Sequence, residues 1–374
     1  MNLDDSGSFT YANPRTVHWG AGTLDDRLVS ELDERHAARV LVITTRSVAS
    51  NPALGGRLST LLGSRRVGPL VEIGQHAPAA AVAEATRVAA ECRPDVLVSF
   101  GGGSPIDAAK AVAFALATEL DLTEPRAADK ARALKPRADD LLPHIAIPTT
   151  LSAAELSGLA GFTTEDEHEK VGLRGDALLP RAVIFDAQLS LETPLPLWLS
   201  TGIRAVDHAV ETLLAGGSHP LPDTLALEAL RRLKASLLAT HADPTDLGAR
   251  TESQLGAWFS FALPGQAASG LSHTLGKRIG SRHGIPHGVS SCLLLPHVMR
   301  YLEPRSAAVQ TRIAAALGAD NAAAGVADLI ARLGLASHLA DYGLSEKDLV
   351  AAAKPVASEA YPLDDLIGIY RAAL

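Results

Sequence analysis

Val96-Leu-Val-Ser-Phe-Gly101-Gly102-Gly103-Ser104-Pro105-Ile106-Asp107-Ala108-Ala109-Lys110 is the stretch that decides the fold. A short apolar run that ends in glycines and passes at once into an alanine-rich helical pattern reads as strand, turn and helix of a parallel sheet. Three glycines permit backbone torsions closed to other residues and let a ligand approach the main chain. Ser104 can cap the helix, and Pro105 sits in its first turn, where a missing N–H costs nothing. The free N–H groups then point at one spot and form an anion site. A ligand-free tight turn is the plainer reading, but three consecutive glycines exceed what such a turn needs. The spacing matches neither GxGxxG nor the P-loop pattern.

Outward from this stretch the alternation continues. Val40–Thr44 reads as a buried strand, followed by a helix over Pro52–Leu62, a strand over Val67–Ile73 and a helix over Ala79–Cys92. Asp95–Phe100 is the next strand, and Ile145–Ile147 is another, ending at Pro148. The charged segment Arg126–Asp140 is expected at the surface. A second loop after a strand, Pro148-Thr149-Thr150-Leu151-Ser152-Ala153-Ala154-Glu155, offers hydroxyls to phosphate or ribose, or merely caps the next helix. From about Ser190 the β-branched runs thin out. Amphipathic stretches take over at 200–215, 221–240, 254–262, 306–317 and 322–333. The expectation is an α/β domain over residues 1–188 and an all-helical domain over 189–374.

Composition narrows the function classes. The chain has 374 residues, long enough for two domains, with 47% apolar and 20% charged residues, which excludes wholesale disorder. A net charge of −8 with acids and bases interspersed argues against nucleic acid and anionic membrane as partners. The two cysteines, Cys92 and Cys292, lack metal or disulfide spacing, so a reducing cytoplasm fits best. The polar N-terminal stretch to Pro14 carries no signal pattern, and no apolar run reaches the roughly 18 residues that span a bilayer.

The helical half concentrates basic side chains. In Thr201-Gly-Ile-Arg204-Ala-Val-Asp207-His208-Ala-Val-Glu211, Arg204 and His208 share a helix face and Glu211 follows one turn later. His273 and Lys277 repeat the four-residue spacing, and His283-Gly-Ile-Pro286-His287-Gly288 comes next. A lone helical histidine is more often structural than functional. Three of them near helix starts and glycine turns make a candidate site that either holds a divalent metal or exchanges protons with a substrate oxygen.

These motifs together resemble the iron-containing alcohol dehydrogenase family, and within it the maleylacetate reductase branch. The resemblance runs over nearly the whole chain: Val17–Thr23, Gly101–Ser104, Pro148–Thr150, Leu179-Pro180-Arg181 with Asp186, Thr201-Gly202 with His208 and Glu211, and Ile285–Gly288 with Leu295–His297. It implies a Rossmann-type, dehydroquinate synthase-like α/β domain, an all-helical catalytic domain and a cleft between them. The implied activity is hydride transfer between a nicotinamide and a carbonyl or alcohol. The implied cofactor sites are Gly101, Gly102, Gly103, Ser104, Asp107, Thr149 and Thr150, with Thr45 and Arg46 at the ribose. The resemblance carries over His208, His273 and His287; Lys277 stands where the family often has another His, and Lys277 and Arg204 join the three histidines as candidate catalytic residues. Metal-dependent relatives use one Asp and three His, with the Asp four residues before the first His. Here that position is Arg204, and His273 and His287 match the other two ligands. A guanidinium about 4 Å from a divalent ion is repelled by several kcal/mol in a partly buried site. A tightly bound metal is therefore not expected. The competing arrangement keeps a three-His metal with Arg204 turned to Asp207 or Glu211, and an Arg204–Asp207 pair is also the plain structural role for that arginine.

Without a metal, Arg204, Lys277 and the histidines form a cationic pocket suited to a carboxylate-bearing keto substrate and to a developing alkoxide. At the end of the first strand, Ile43-Thr44-Thr45-Arg46-Ser47 has no acid for a ribose 2′-OH. NADPH is thus expected beside NADH, with Arg46 as a solvated charge the alternative. A homodimer is implied by the resemblance. Competing functions are a metal-dependent alcohol or aldehyde dehydrogenase, a sugar-phosphate cyclase of the dehydroquinate synthase type, and a non-catalytic nucleotide-binding module.

Overall fold

The computed structural model describes residues 14–124, 126–163, 170–215, 220–261 and 270–374. Residues 1–13, read as signal-free, and Ala262, expected to end a helix, lie outside these. The chain divides into two compact units, one of Pro14–Gly202 with Ser236–Leu255 and one built mainly of Ile203–Ala235 with Gly256–Leu374.

The first unit is the expected α/β structure. Its strands are β1 (Thr16–Trp19), β2 (Val40–Thr44), β3 (Val71–Glu72), β4 (Val96–Gly101), β5 (His144–Pro148), β6 (Leu159–Thr163), β7 (Lys170–Arg174) and β8 (Ala182–Phe185). Six form one parallel sheet in the order β1-β8-β5-β4-β2-β3, while β6 and β7 pair antiparallel as a separate hairpin. Strands β2, β4, β5 and β8 are buried along their whole length, as expected for a parallel sheet with both faces covered. The pleat sorts their side chains. Val40, Val42, Val96, Val98 and Ile145 pack with Leu24 and Leu28 on one face. Leu41, Ile43 and Leu97 pack with Val82, Ala108 and Val112 on the other.

One sequence expectation changes here. The strand expected over Val67–Ile73 is reduced to Val71–Glu72. Val67 N–H bonds Val40 O and Ile73 N–H bonds Thr44 O, but Gly68 at φ 69° and Pro69 interrupt the ladder between them. The two compact units divide at 202–203, inside the helix Leu195–Leu214. The start of that helix packs with residues 236–255. A Cβ on Gly202 would lie 2.4 Å from Leu237 Cδ2. Arg250 stacks at 5.0 Å on the fully buried Trp198 and donates to Ser190 O at 2.6 Å.

The second unit is helical. Leu271, Leu275, Ile279, Leu294, Val298, Leu349 and Tyr370 form its core. Its longest helix, His287–Leu317, holds Pro296 and Pro304 and breaks at Ser306 (φ −141°). The apolar stretch within 287–332 has the length and composition to cross a bilayer, but half of it is buried inside the protein, as in a core helix.

Candidate active site

The glycine turn opens the helix Gly103–Thr118. Only Gly101 needs glycine for its torsion, at φ 140°. Gly102 is the N-cap, in extended conformation, and no side chain caps the helix. Ser104, expected to cap it, lies inside the first turn and accepts the His76 N–H at 3.1 Å instead. The helix start thus keeps N–H groups without a side-chain acceptor. Two hydroxyls face it. A Cβ on Gly102 would stand 3.3 Å from Thr150 Cγ2, and one on Gly103 would stand 3.3 Å from Ser152 Oγ. Thr150 Oγ1 and Ser152 Oγ are buried without a hydrogen-bond partner. An uncapped helix start under two orphaned hydroxyls is a cradle with the polarity a phosphate requires.

The surroundings hold that cradle in place. Thr149 is backbone-anchored: its N–H bonds Gly101 O at 2.9 Å, and its carbonyl accepts the Thr193 hydroxyl at 2.7 Å. Lys110 lies two turns along the helix, 1% exposed, and donates to the carbonyls of Ala154, Ser157 and Leu159 at 2.5, 2.7 and 2.8 Å. Burial lowers its pKa to about 8. Asp107 accepts the Gly161 N–H at 3.1 Å, which ties the same helix to β6. Glu155, fully buried with both carboxylate oxygens unpartnered, is pushed up to about 7 by burial. Thr45 lies beside Gly101 and caps the turn Arg46–Ala49 by accepting the Val48 N–H at 3.4 Å; Arg46 is exposed.

The second cluster grows from one helix face. Arg204, Asp207, His208 and Glu211 stand on Leu195–Leu214, all buried. Glu211 accepts the N–H groups of Gly270 at 2.7 Å and His273 at 3.1 Å, capping the helix Leu271–His283 with a carboxylate. Gly270 is required there, because a Cβ would fall 2.6 Å from Glu211 Cδ. That cap delivers His273. Its Nδ1 is 2.6 Å from Glu211 Oε2, off-line for a hydrogen bond, and 3.5 Å from Asp207 Oδ2. The His208 and His273 rings lie 4.8 Å apart, and Phe261 meets His208 edge-on at 4.8 Å. Asp207 Oδ2 accepts the hydroxyls of Ser291 at 2.6 Å and Ser272 at 2.9 Å. Arg204 Nη1 donates to Ser291 Oγ at 3.1 Å and lies 3.7 Å from Asp207 Oδ2.

Burial, aided by Arg204 and Lys277, holds both imidazoles neutral: His273 falls to about 3 and His208 well below its ordinary value. Burial pushes Glu211 up to about 7 and raises Asp207. Among the described residues, the gathered metal-competent group is Asp207, Glu211 and His273, with donor atoms within 4.8 Å of one another. His208 and His287 are outside it. His287 is the first residue of its helix and half-buried, while Lys277 is exposed one turn beyond His273. Sequence reasoning did not single out Ser272 or Ser291. They are brought in by residues up to 87 positions away, which no local spacing reveals.

Residues 14–187 match the family model for iron-containing alcohol dehydrogenase, and residues 198–368 match the C-terminal model of the same family. The chain belongs to the iron-containing alcohol dehydrogenase family, and it is an oxidoreductase that works with a nicotinamide cofactor. It is 33% identical to a maleylacetate reductase of Burkholderia cepacia, over 93% of this chain and 90% of that one. The structure of the maleylacetate reductase of Agrobacterium tumefaciens is similar with a TM-score of 0.84 at 28% identity, covering 99% of each chain. An iron-containing alcohol dehydrogenase of Corynebacterium glutamicum gives a TM-score of 0.83 at 27% identity, covering 99% of this chain and 98% of that one.

Proposed function

We propose that this protein reduces maleylacetate, or a close unsaturated keto dicarboxylate, with NADH or NADPH. One observation carries the reading. Neutral His208 and His273 share their surroundings with the guanidinium of Arg204 and feel the ammonium of Lys277. The maleylacetate reductases among the relatives support the same substrate class. In this reading Gly101, Gly102, Gly103 and Ser104, with Thr149, Thr150 and Ser152, hold the dinucleotide phosphates. Thr45 and Arg46 stand at the ribose, and the lack of an acid there admits a 2′-phosphate. Hydride adds to the alkene carbon conjugated with the keto group as the C=C π bond breaks, and the displaced electron pair passes to the keto oxygen. Arg204 faces the negative charge that develops on oxygen, and Lys277 or an imidazole N–H supplies the proton. Lys277, with Arg204, is also suited to a substrate carboxylate.

The family implies iron, and the donor set fits it poorly. Both Glu211 oxygens already accept backbone N–H groups, and Asp207 Oδ2 accepts two hydroxyls. Asp207 Oδ1, the His273 nitrogens and Nδ1 of the neighbouring His208 remain, beside a guanidinium 3.7 Å from the Asp207 carboxylate. At an effective dielectric of about 20, a divalent ion roughly 4 Å from a guanidinium is opposed by about 8 kcal/mol. No step is assigned to a metal. The working unit in this reading is a cytoplasmic homodimer, in keeping with two free thiols and an edge strand β1 that ends in the exposed Trp19. Steady-state oxidation of both reduced cofactors, with maleylacetate, simple keto acids and aldehydes side by side, tests the proposal. Turnover confined to aldehydes would refute the substrate class.

A further inference from the structure

We infer that Asp207, together with Ser291, holds Arg204 as a fixed internal cation that stands in for the metal ion of this family, so that the electrophile is part of the chain. The inference rests on the reductase reading and goes further by saying what fixes the cation. Three contacts define the arrangement. Ser291 bridges the pair: its oxygen accepts from Arg204 Nη1 at 3.1 Å while its hydroxyl donates to Asp207 Oδ2 at 2.6 Å. Ser272 gives the same carboxylate oxygen a second hydroxyl at 2.9 Å. Asp207 is fully buried, so its charge is countered within the protein by the guanidinium 3.7 Å away. The opposite edge of the cluster is equally committed, since Glu211 is spent on the N-terminus of the helix Leu271–His283. The side chain of Arg204 is 11% exposed, so the cation is largely enclosed but not sealed off. A guanidinium offers several N–H donors in a fixed plane, and its geometry here is set before substrate arrives. Arg204 is therefore the group proposed to touch the reacting oxygen, and Asp207 is a positioning residue.

Calorimetric zinc titration of the full chain and its variants tests this, with NADPH binding measured in parallel by cofactor fluorescence. The wild-type chain is expected to show no one-to-one zinc site. Arg204→Asp is expected to gain one, with affinity at least about 100-fold above wild type. Arg204→Gln is expected to lower kcat about 100-fold while KM for NADPH stays unchanged, and Arg204→Lys to recover part of kcat. Asp207→Asn is expected to lower kcat about tenfold with the same NADPH affinity. Tight stoichiometric zinc in the wild-type chain, or Arg204→Gln with kcat within about threefold of wild type, overturns the inference. Loss of NADPH binding in every form, wild type included, would instead overturn the reductase reading on which it stands.

Discussion

Replacing Lys110 by Met tests how the cofactor cradle is held. The buried ammonium makes three hydrogen bonds to carbonyls of the segment just beyond Thr150 and Ser152. Hydrogen bonds to a charged group contribute about 1.5–3 kcal/mol each. Burial opposes them: the fall of the Lys110 pKa from 10.5 to about 8 corresponds, at roughly 1.4 kcal/mol per unit, to about 3 kcal/mol. The net expectation for Lys110→Met is a loss of about 2–6 kcal/mol, read from urea unfolding midpoints. A pH dependence identifies the cause. The folded chain releases this proton near pH 8 and the unfolded chain near 10.5, so the unfolded state binds more protons between those values. Native stability therefore rises with pH across that window, by up to about 3 kcal/mol, and the Met variant lacks the rise. NADPH affinity should fall as the segment carrying Thr150 and Ser152 loosens. A variant within about 0.5 kcal/mol of wild type, with an unchanged alkaline profile and unchanged NADPH affinity, would refute the reasoning.

Three further outcomes rest on the same geometry. His144 is buried, with Nε2 2.7 Å from Ser99 Oγ, and burial lowers its pKa to about 3. The folded chain thus loses stability as pH falls from 6.5 to 3, by roughly 5 kcal/mol from this group, and His144→Gln should flatten that acid limb in chemical unfolding. Gly102→Ala sets a methyl 3.3 Å from Thr150 and should weaken NADPH binding about tenfold, by fluorescence titration, with little change in stability. Arg46→Asp should raise KM for NADPH about tenfold or more while sparing NADH; equal effects on both would remove Arg46 from the ribose site.

Much of this arrangement was legible in the residues. Apolar runs at 40–44, 96–101 and 144–148 are buried on both faces, and burial on both sides is what turns such runs into parallel strands. Helix 79–92 was legible to the residue because alanine-rich periodicity is local. The strand at 67–73 was overread because apolarity outweighed Gly68 and Pro69 in the reading, whereas the backbone obeys the breakers. The division of the compact units inside the helix Leu195–Leu214 depends on Trp198, Gly202 and Arg250 meeting across some 50 residues, which composition does not encode. At the site, Arg204 and its pairing with Asp207 were readable from helical spacing. The roles of Ser291 and Ser272 on Asp207, and of Glu211 as a cap for Gly270 and His273, came only from tertiary structure. Ser104 was misassigned as a cap because a serine beside a helix start usually is one; here Gly102 takes that position and His76 claims the hydroxyl.

Turnover of maleylacetate with NADPH after exhaustive chelation of the purified protein is the most direct measurement. The expected rate is unchanged by the chelator and unchanged when zinc or iron is returned. A rate abolished by chelation and restored by either metal would contradict an internal electrophile, because the cation facing the keto oxygen would then come from outside the chain.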